Sequence, residues 1–81
     1  MFREIRNFII VIPEYMPNEK LLSLLKSLLC HFNYIIVVDD GSGEKYKTYF
    51  EQIENIGVTV LHHQKNMGKG YALKTAFKHC I

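Results

Sequence analysis

Three short apolar runs alternate along the chain with three stretches of helical periodicity, and this alternation limits the folds available to it. The runs are NFIIVI (7–12), YIIVV (34–38) and VTVLH (58–62), and helical spacing follows each of them, at 18–32, 43–55 and 69–81. The first run is unbroken up to Pro13, which has no N–H for a sheet ladder and is expected to end the strand. Strands alternating with helices predict a parallel sheet with helical crossovers. We therefore expect a three-layer, Rossmann-like α/β fold with the element order β-α-β-α-β-α. Its parallel sheet is expected to have the strand order 3-2-1.

The apolar residues of each helical stretch define the face that should pack on this sheet. The first helix is expected to begin behind Asn18 as its N-cap. Residues predicted to face inward are Leu21, Leu22, Leu25, Leu28, Leu29 and Phe32 in the first helix, Tyr46, Tyr49, Phe50 and Ile53 in the second, and Ala72, Leu73, Ala76, Phe77 and Cys80 in the third.

Length and composition narrow the classes of protein. The 81 residues, 48% of them apolar, predict one globular domain over 1–81 without a linker or a second domain. The formal net charge of +2 is small and scattered, so no nucleic-acid partner is expected. Because no apolar run approaches the roughly 20 residues that a membrane-spanning helix needs, no membrane segment is predicted in this chain, and the cytoplasm is the expected location.

The unusual polar and glycine-rich stretches all follow predicted strands. They are PEYMPN (13–18), DDGSG (39–43) and HHQKNMGKG (62–70). In an open parallel sheet these loops emerge at the carboxyl ends of the strands, where ligands bind. The sequence therefore places a candidate ligand site on one edge of the sheet.

Three known site types fit this edge poorly. A phosphate-binding G-x-x-x-x-G-K-[ST] loop and a dinucleotide G-x-G-x-x-G loop both fail at Tyr46, which stands where each needs a glycine. A receiver-type acid pocket would need an aspartate at the end of the third strand, which VTVLHH does not offer.

His62 and His63 are adjacent on a strand and should point to opposite faces, so they are expected to be core or loop histidines and not a metal pair. An ordinary strand-to-helix turn at DDGSG stays open on these residues alone.

Three motifs taken together resemble a known family. VIPEYMPNEKLL, IIVVDDGSG and NMGKGYALKTAF look like the amino-terminal half of a family 2 glycosyltransferase of the GT-A fold, whose patterns are V-I-P-x-Y-N, V-V-D-D-G-S and N-x-G-K-G-x-A-L. The resemblance covers nearly the whole chain. It implies a site for a nucleotide-sugar donor, most often a uridine diphosphate sugar.

The resemblance also implies roles for individual residues. Pro13 and Tyr15 would form one wall, with the Tyr15 ring against the base. Asp40 would accept the N–H of the base, and Asp39 would assist at the base or the ribose. Gly41 and Ser42 would turn the chain so that both acids face the ligand, and Lys69 at a helix N-terminus would meet the diphosphate.

Two departures from the family pattern carry consequences. Met16 stands where the pattern has Asn, which removes a side-chain hydrogen bond from the first loop, and Asn18 is expected to supply a substitute cap. The D-x-D motif that holds Mg²⁺ or Mn²⁺ in the family is expected beyond Ile81, so the metal belongs to a full-length parent and none would be held by this chain alone.

The resulting expectation is the donor-binding part of a glycosyltransferase that is inactive by itself, with membrane association of the parent left open. The alternative is a small α/β nucleotide-binding or regulatory module that is complete at this length. In the order 3-2-1 the first strand is an edge, so self-association through it is also expected.

Overall fold

The computed structural model describes residues 8–80 and shows three strands that alternate with three α-helices. In chain order these are β1 (Ile10–Glu14), α1 (Lys20–Leu29), β2 (Ile35–Asp40), α2 (Lys47–Asn55), β3 (Thr59–His63) and α3 (Lys69–Cys80), with a short 3-10 turn over Glu44–Tyr46 ahead of α2. The predicted α/β class and the predicted alternation are confirmed.

The three strands form one parallel sheet with β2 in the centre. The order is β1-β2-β3, which read from the opposite edge is 3-2-1. The register pairs Pro13 of β1 with Val38 of β2, and it pairs Asp39 and Asp40 with His62 and His63 of β3. The carboxyl ends of all three strands therefore meet at one edge of the sheet.

Side chains of β2 alternate between two cores, one on each face of the sheet. Ile35 and Val37 pack with α1, α2 and β3, whereas Ile36 and Val38 pack with Ala72 and Ala76 of α3. All six residues of β2 are buried, as expected for a central parallel strand covered by helices on both faces. The predicted three layers are confirmed, with α1 and α2 on one face and α3 on the other.

The first strand differs from its predicted bounds. It continues through Pro13 to Glu14 instead of ending at the proline, and Phe8 and Ile9 precede it, while Asn7 lies outside the described residues. Within residues 8–80, β1 pairs only with β2. Proline is tolerated in such a strand because its missing N–H can face away from the neighbour.

Helix α3 buries a narrower face than its apolar pattern predicts. Ala72 and Ala76 are fully buried, but Leu73 is 49% exposed, Phe77 is 69% exposed and Cys80 is exposed as well. The prediction that these three face inward was wrong. The helix contacts the sheet through Ala72 and Ala76, so Leu73 and Phe77, each one residue further round, are left at the surface. Cys80 is exposed as the last residue of the helix.

Helix α1 begins two residues after the predicted cap. Its start, predicted directly behind Asn18, is corrected to Lys20, and the Asn18 side chain accepts the Lys20 backbone N–H at 2.9 Å. The side chain therefore performs the expected capping function from just outside the helix.

Candidate functional site

A cavity lies at the carboxyl ends of β1 and β2, against the first residues of α3. Its volume is about 260 Å³, and its lining residues are Pro13, Glu14, Tyr15, Asp40, Asn66, Gly68 and Lys69. Four of these are predicted site residues: Pro13, Tyr15, Asp40 and Lys69. The edge of the sheet that the loop positions predicted is therefore where the structure brings them together.

The two acidic residues of DDGSG lie inside β2 and not in the loop that follows. Successive side chains of a strand point to opposite faces. Asp40 follows Ile36 and Val38 onto the α3 face, while Asp39 follows Val37 onto the α2 face and lines a separate cavity of about 290 Å³. The expectation that both acids face one ligand is therefore corrected, and only Asp40 reaches the cavity beside Tyr15.

Asp40 is held by three hydrogen bonds from residues far away in the sequence. Its Oδ1 accepts the ring Nδ1–H of His63 at 2.7 Å and the backbone N–H of Met67 at 2.9 Å, and its Oδ2 accepts the N–H of Gly68 at 2.8 Å. Burial raises the pKa of the Asp40 carboxyl. These hydrogen bonds and the nearby His63 together lower the pKa by more than burial raises it, so that it lies below the usual 3.8. Asp40 is therefore ionised at neutral pH, and it anchors the chain that enters α3.

Asp39 stabilises the turn that follows β2. Its Oδ1 accepts the N–H of Ser42 at 2.9 Å, and its Oδ2 lies 2.8 Å from Nδ1 of His62. Ser42 in turn accepts the N–H of Met16 at its Oγ at 2.8 Å, which ties this turn to the loop after β1. Gly41 and Ser42 do turn the chain sharply, but neither lines the cavity with Asp40.

Met16 has a backbone φ of 50°, the only positive value among the described residues other than glycine. Asparagine is several-fold enriched in this left-handed region. The Asn of the family pattern would therefore suit this backbone conformation, which Met16 adopts here.

Glu14 lines the cavity although it is not one of the predicted site residues. Burial raises the pKa of its carboxyl above 4.5, and the positive charge of Lys69 opposes that rise. Its position as the variable residue of V-I-P-x-Y-N gave no signal. Asn66 and Gly68, by contrast, stand within the quoted N-x-G-K-G motif, which could have indicated them.

The described residues do not fit a metal site. Residues 8–80 contain no group of three or more His, Cys, Asp or Glu side chains that could bind an ion. Three of the roughly four acceptor positions of the Asp40 carboxylate are already used by N–H donors. His62 and His63 pair with different aspartates on opposite faces of the sheet, as expected for core or loop histidines.

No helix among residues 8–80 has the length and apolar character needed to cross a membrane.

Comparison with known proteins identifies one family. Searches of curated proteins and of solved structures each find no match to this chain. The family model described as glycosyl transferase family 2 matches residues 9–81, which include all three motifs and every residue that lines the cavity. The chain therefore belongs to glycosyl transferase family 2.

Proposed function

We propose that this chain supplies the donor-binding part of a glycosyltransferase, and that the cavity beside Asp40 receives the nucleoside of a nucleotide sugar. The observation that carries the proposal is the ionised Asp40 carboxylate, which lines the cavity together with Tyr15 and Lys69 in a chain of this family.

The hydrogen bonds of Asp40 favour uridine as the nucleoside. An ionised carboxylate has about four acceptor positions, and three are taken, which leaves one on Oδ2. Uracil presents a single imide N–H, whereas guanine presents two adjacent donors that together engage both oxygens of a carboxylate. One open acceptor position therefore matches a uridine diphosphate sugar better than a guanosine one.

Tyr15 and Lys69 extend this arrangement to the rest of the donor. The Tyr15 ring is half exposed at the cavity wall, where it is available to stack on a base. Lys69 is the first residue of α3, so its charge and the helix dipole act together on a diphosphate. Asp39, which lies on the other face, supports this site by holding the Ser42 turn.

The charges at the cavity indicate where the affinity comes from. Glu14 and Asp40 are acidic, and Lys69 is the only basic residue of the lining. The charge of the diphosphate is therefore not matched here, and the Mg²⁺ or Mn²⁺ that the family implies would need ligands from outside residues 8–80. We infer that the nucleoside contacts dominate binding, and that these 81 residues alone bind the donor without transferring its sugar.

Calorimetry with uridine diphosphate tests the binding proposal. Asp40→Asn should weaken binding by about 10- to 100-fold, because it removes a hydrogen bond to a charged acceptor. Asp39→Asn is the matched control, because it removes the neighbouring charge on the opposite face while its amide oxygen can still accept the Ser42 N–H that holds the turn. The affinity of the folded protein should stay nearly unchanged. Equal affinity of Asp40→Asn and the parent sequence would remove Asp40 from the site.

A second experiment tests the absence of turnover. Release or transfer of sugar from the uridine diphosphate sugar is measured with and without Mn²⁺, with a no-protein sample as the baseline. We expect no rate above that baseline. Clear turnover would show that residues 1–81 hold a complete active site.

A further inference from the structure

We propose that His63 is the positioning residue of this nucleotide site, holding the Asp40 carboxylate in the one orientation that leaves a single acceptor position open to the cavity. The inference rests on the proposed function for its effect on binding. It rests on geometry alone for the arrangement of His63 and Asp40.

Both ring nitrogens of His63 are anchored. Nδ1 lies 2.7 Å from Asp40 Oδ1 on the neighbouring strand, and Nε2 lies 2.7 Å from Oγ1 of Thr75 on α3. The side chain is only 8% exposed, and its ring packs edge-on against Tyr71 with the centroids 5.2 Å apart. The imidazole is therefore a fixed link between α3 and the end of β2.

The ionised state of Asp40 decides which atoms donate in the hydrogen bonds of His63. An ionised carboxylate only accepts hydrogen bonds, so the proton between His63 and Asp40 sits on Nδ1. Nε2 can then accept the Thr75 hydroxyl proton. Alternatively, a charged imidazole donates from Nε2 while the Thr75 hydroxyl turns to the Tyr71 carbonyl, 3.1 Å away. Nδ1–H faces Asp40 in both cases, and no polar group in the link is left without a partner.

This donor controls what Asp40 offers to a ligand. His63 and Met67 together fill the acceptor positions of Oδ1, so the carboxylate cannot rotate about its terminal torsion without losing both bonds. That torsion is otherwise broad for aspartate. Without His63, Oδ1 would regain an open acceptor position, and the chain leading into α3 would lose part of its anchor.

The other face of the sheet carries a natural control. His62 pairs with Asp39 in the same register and with nearly the same geometry, at 2.8 Å. However, the His62 side chain is 52% exposed and lies outside the cavity with Asp40. The two pairs share their chemistry and differ in whether the aspartate reaches the proposed ligand.

Two substitutions at His63 separate positioning from packing. In His63→Asn the side-chain N–H₂ replaces Nδ1–H as donor to Asp40, whereas in His63→Gln the amide reaches towards Thr75 and the bond to Asp40 is lost. We expect His63→Asn to keep its uridine diphosphate affinity within about threefold and His63→Gln to lose about tenfold or more. His62→Asn should stay within about twofold of the parent sequence.

Nuclear magnetic resonance gives a readout that does not depend on the ligand. In the unmodified protein, the ¹⁵N signal of His63 Nδ1 should be that of a protonated nitrogen, and the Met67 and Gly68 amide signals should move in His63→Gln but stay near their positions in His63→Asn. An unprotonated Nδ1 would overturn the inference even if neither variant folds. So would equal nucleotide affinity of the two variants in a protein whose Asp40→Asn variant binds weakly. A protonated Nδ1 in a protein that binds no uridine diphosphate would instead overturn the proposed function and leave the positioning of Asp40 intact.

Discussion

Gly41, at the turn after β2, lies directly against the backbone of Lys65 in the loop after β3. A Cβ atom on Gly41 would overlap the carbonyl carbon of Lys65 and the backbone nitrogen of Asn66, and the Gly41 φ of 79° is also in the left-handed region. The two loops therefore touch backbone to backbone. This contact holds the second loop where Asn66 and Gly68 can line the cavity.

The Gly41 contact predicts a large loss of stability on substitution. Gly41→Ala should lower the free energy of unfolding by more than about 3 kcal/mol, because backbone strain and overlap with main-chain atoms add together. Gly57→Ala is the matched control: its φ is 105°, but nothing lies within 4 Å of the added Cβ. It should cost only about 1–2 kcal/mol. Urea unfolding followed by circular dichroism measures both, and equal losses would contradict the close approach.

The lowered pKa of Asp40 predicts how stability depends on pH. Because the folded state holds this proton less tightly than the unfolded chain, Asp40 stabilises the fold above its usual pKa of 3.8, and this contribution is lost as the pH falls below that value. The difference in unfolding free energy between the parent sequence and Asp40→Asn should therefore be smaller at about pH 3 than at about pH 5. For Glu51→Gln, which changes an exposed acid on α2, the difference should stay within about 0.5 kcal/mol throughout.

The raised pKa of Glu14 predicts that stability changes with pH in the opposite direction. The folded state binds this proton more tightly, so the ionised carboxylate destabilises the fold as the pH rises above the ordinary value of 4.5. Glu14→Gln should be more stable than the parent sequence at neutral pH, and this advantage should vanish in acid. Removing the negative charge should also strengthen uridine diphosphate binding by a factor on the order of five. Unfolding curves and calorimetry test the two effects, and weaker binding by Glu14→Gln would mean that Glu14 contacts the ligand favourably.

Tyr15 should contribute through its ring and not through its hydroxyl. Tyr15→Ala is expected to weaken uridine diphosphate binding by about 1–3 kcal/mol through loss of base stacking, whereas Tyr15→Phe should bind nearly as well as the parent sequence. Tyr34→Ala removes a comparably exposed tyrosine from the opposite end of β2 and serves as the control. If Tyr15→Phe loses as much affinity as Tyr15→Ala, the stacking role is wrong.

The edge position of β1 predicts self-association. Within residues 8–80 this strand has one neighbour, and the exposed Phe8 and Ile9 adjoin it. We expect a two-fold dimer through this edge at micromolar concentration, since Ile10, Val11 and Ile12 form an apolar edge that can pair with another copy, and the residues that oppose such pairing, Pro13 and Glu14, lie only at its end. Ile9→Lys should shift light scattering towards the monomer, while Phe77→Lys on α3 should not. A stable 9.5 kDa monomer of the parent sequence would contradict the edge pairing.

The local pattern of the chain was enough to predict the order of strands and helices and the edge of the sheet where the candidate site lies. Periodicity and β-branched runs are properties of neighbouring residues, so they predict elements wherever those elements lie in space. The same holds for the faces of α1 and α2, where Leu25, Phe50 and Ile53 are fully buried as predicted. Pro13, Tyr15, Asp40 and Lys69 were indicated by motifs at the ends of those elements.

Tertiary structure alone decided which acid faces the cavity and what holds it there. Extending β2 by two residues placed Asp39 and Asp40 on opposite faces, because side chains alternate along a strand. Pairing with β3 then brought His63 to Asp40, 23 positions apart in the sequence, and the close approach of the loops brought Gly68 to the same carboxylate. Such contacts depend on register and packing between distant segments, which the residues beside Asp40 in the sequence do not encode.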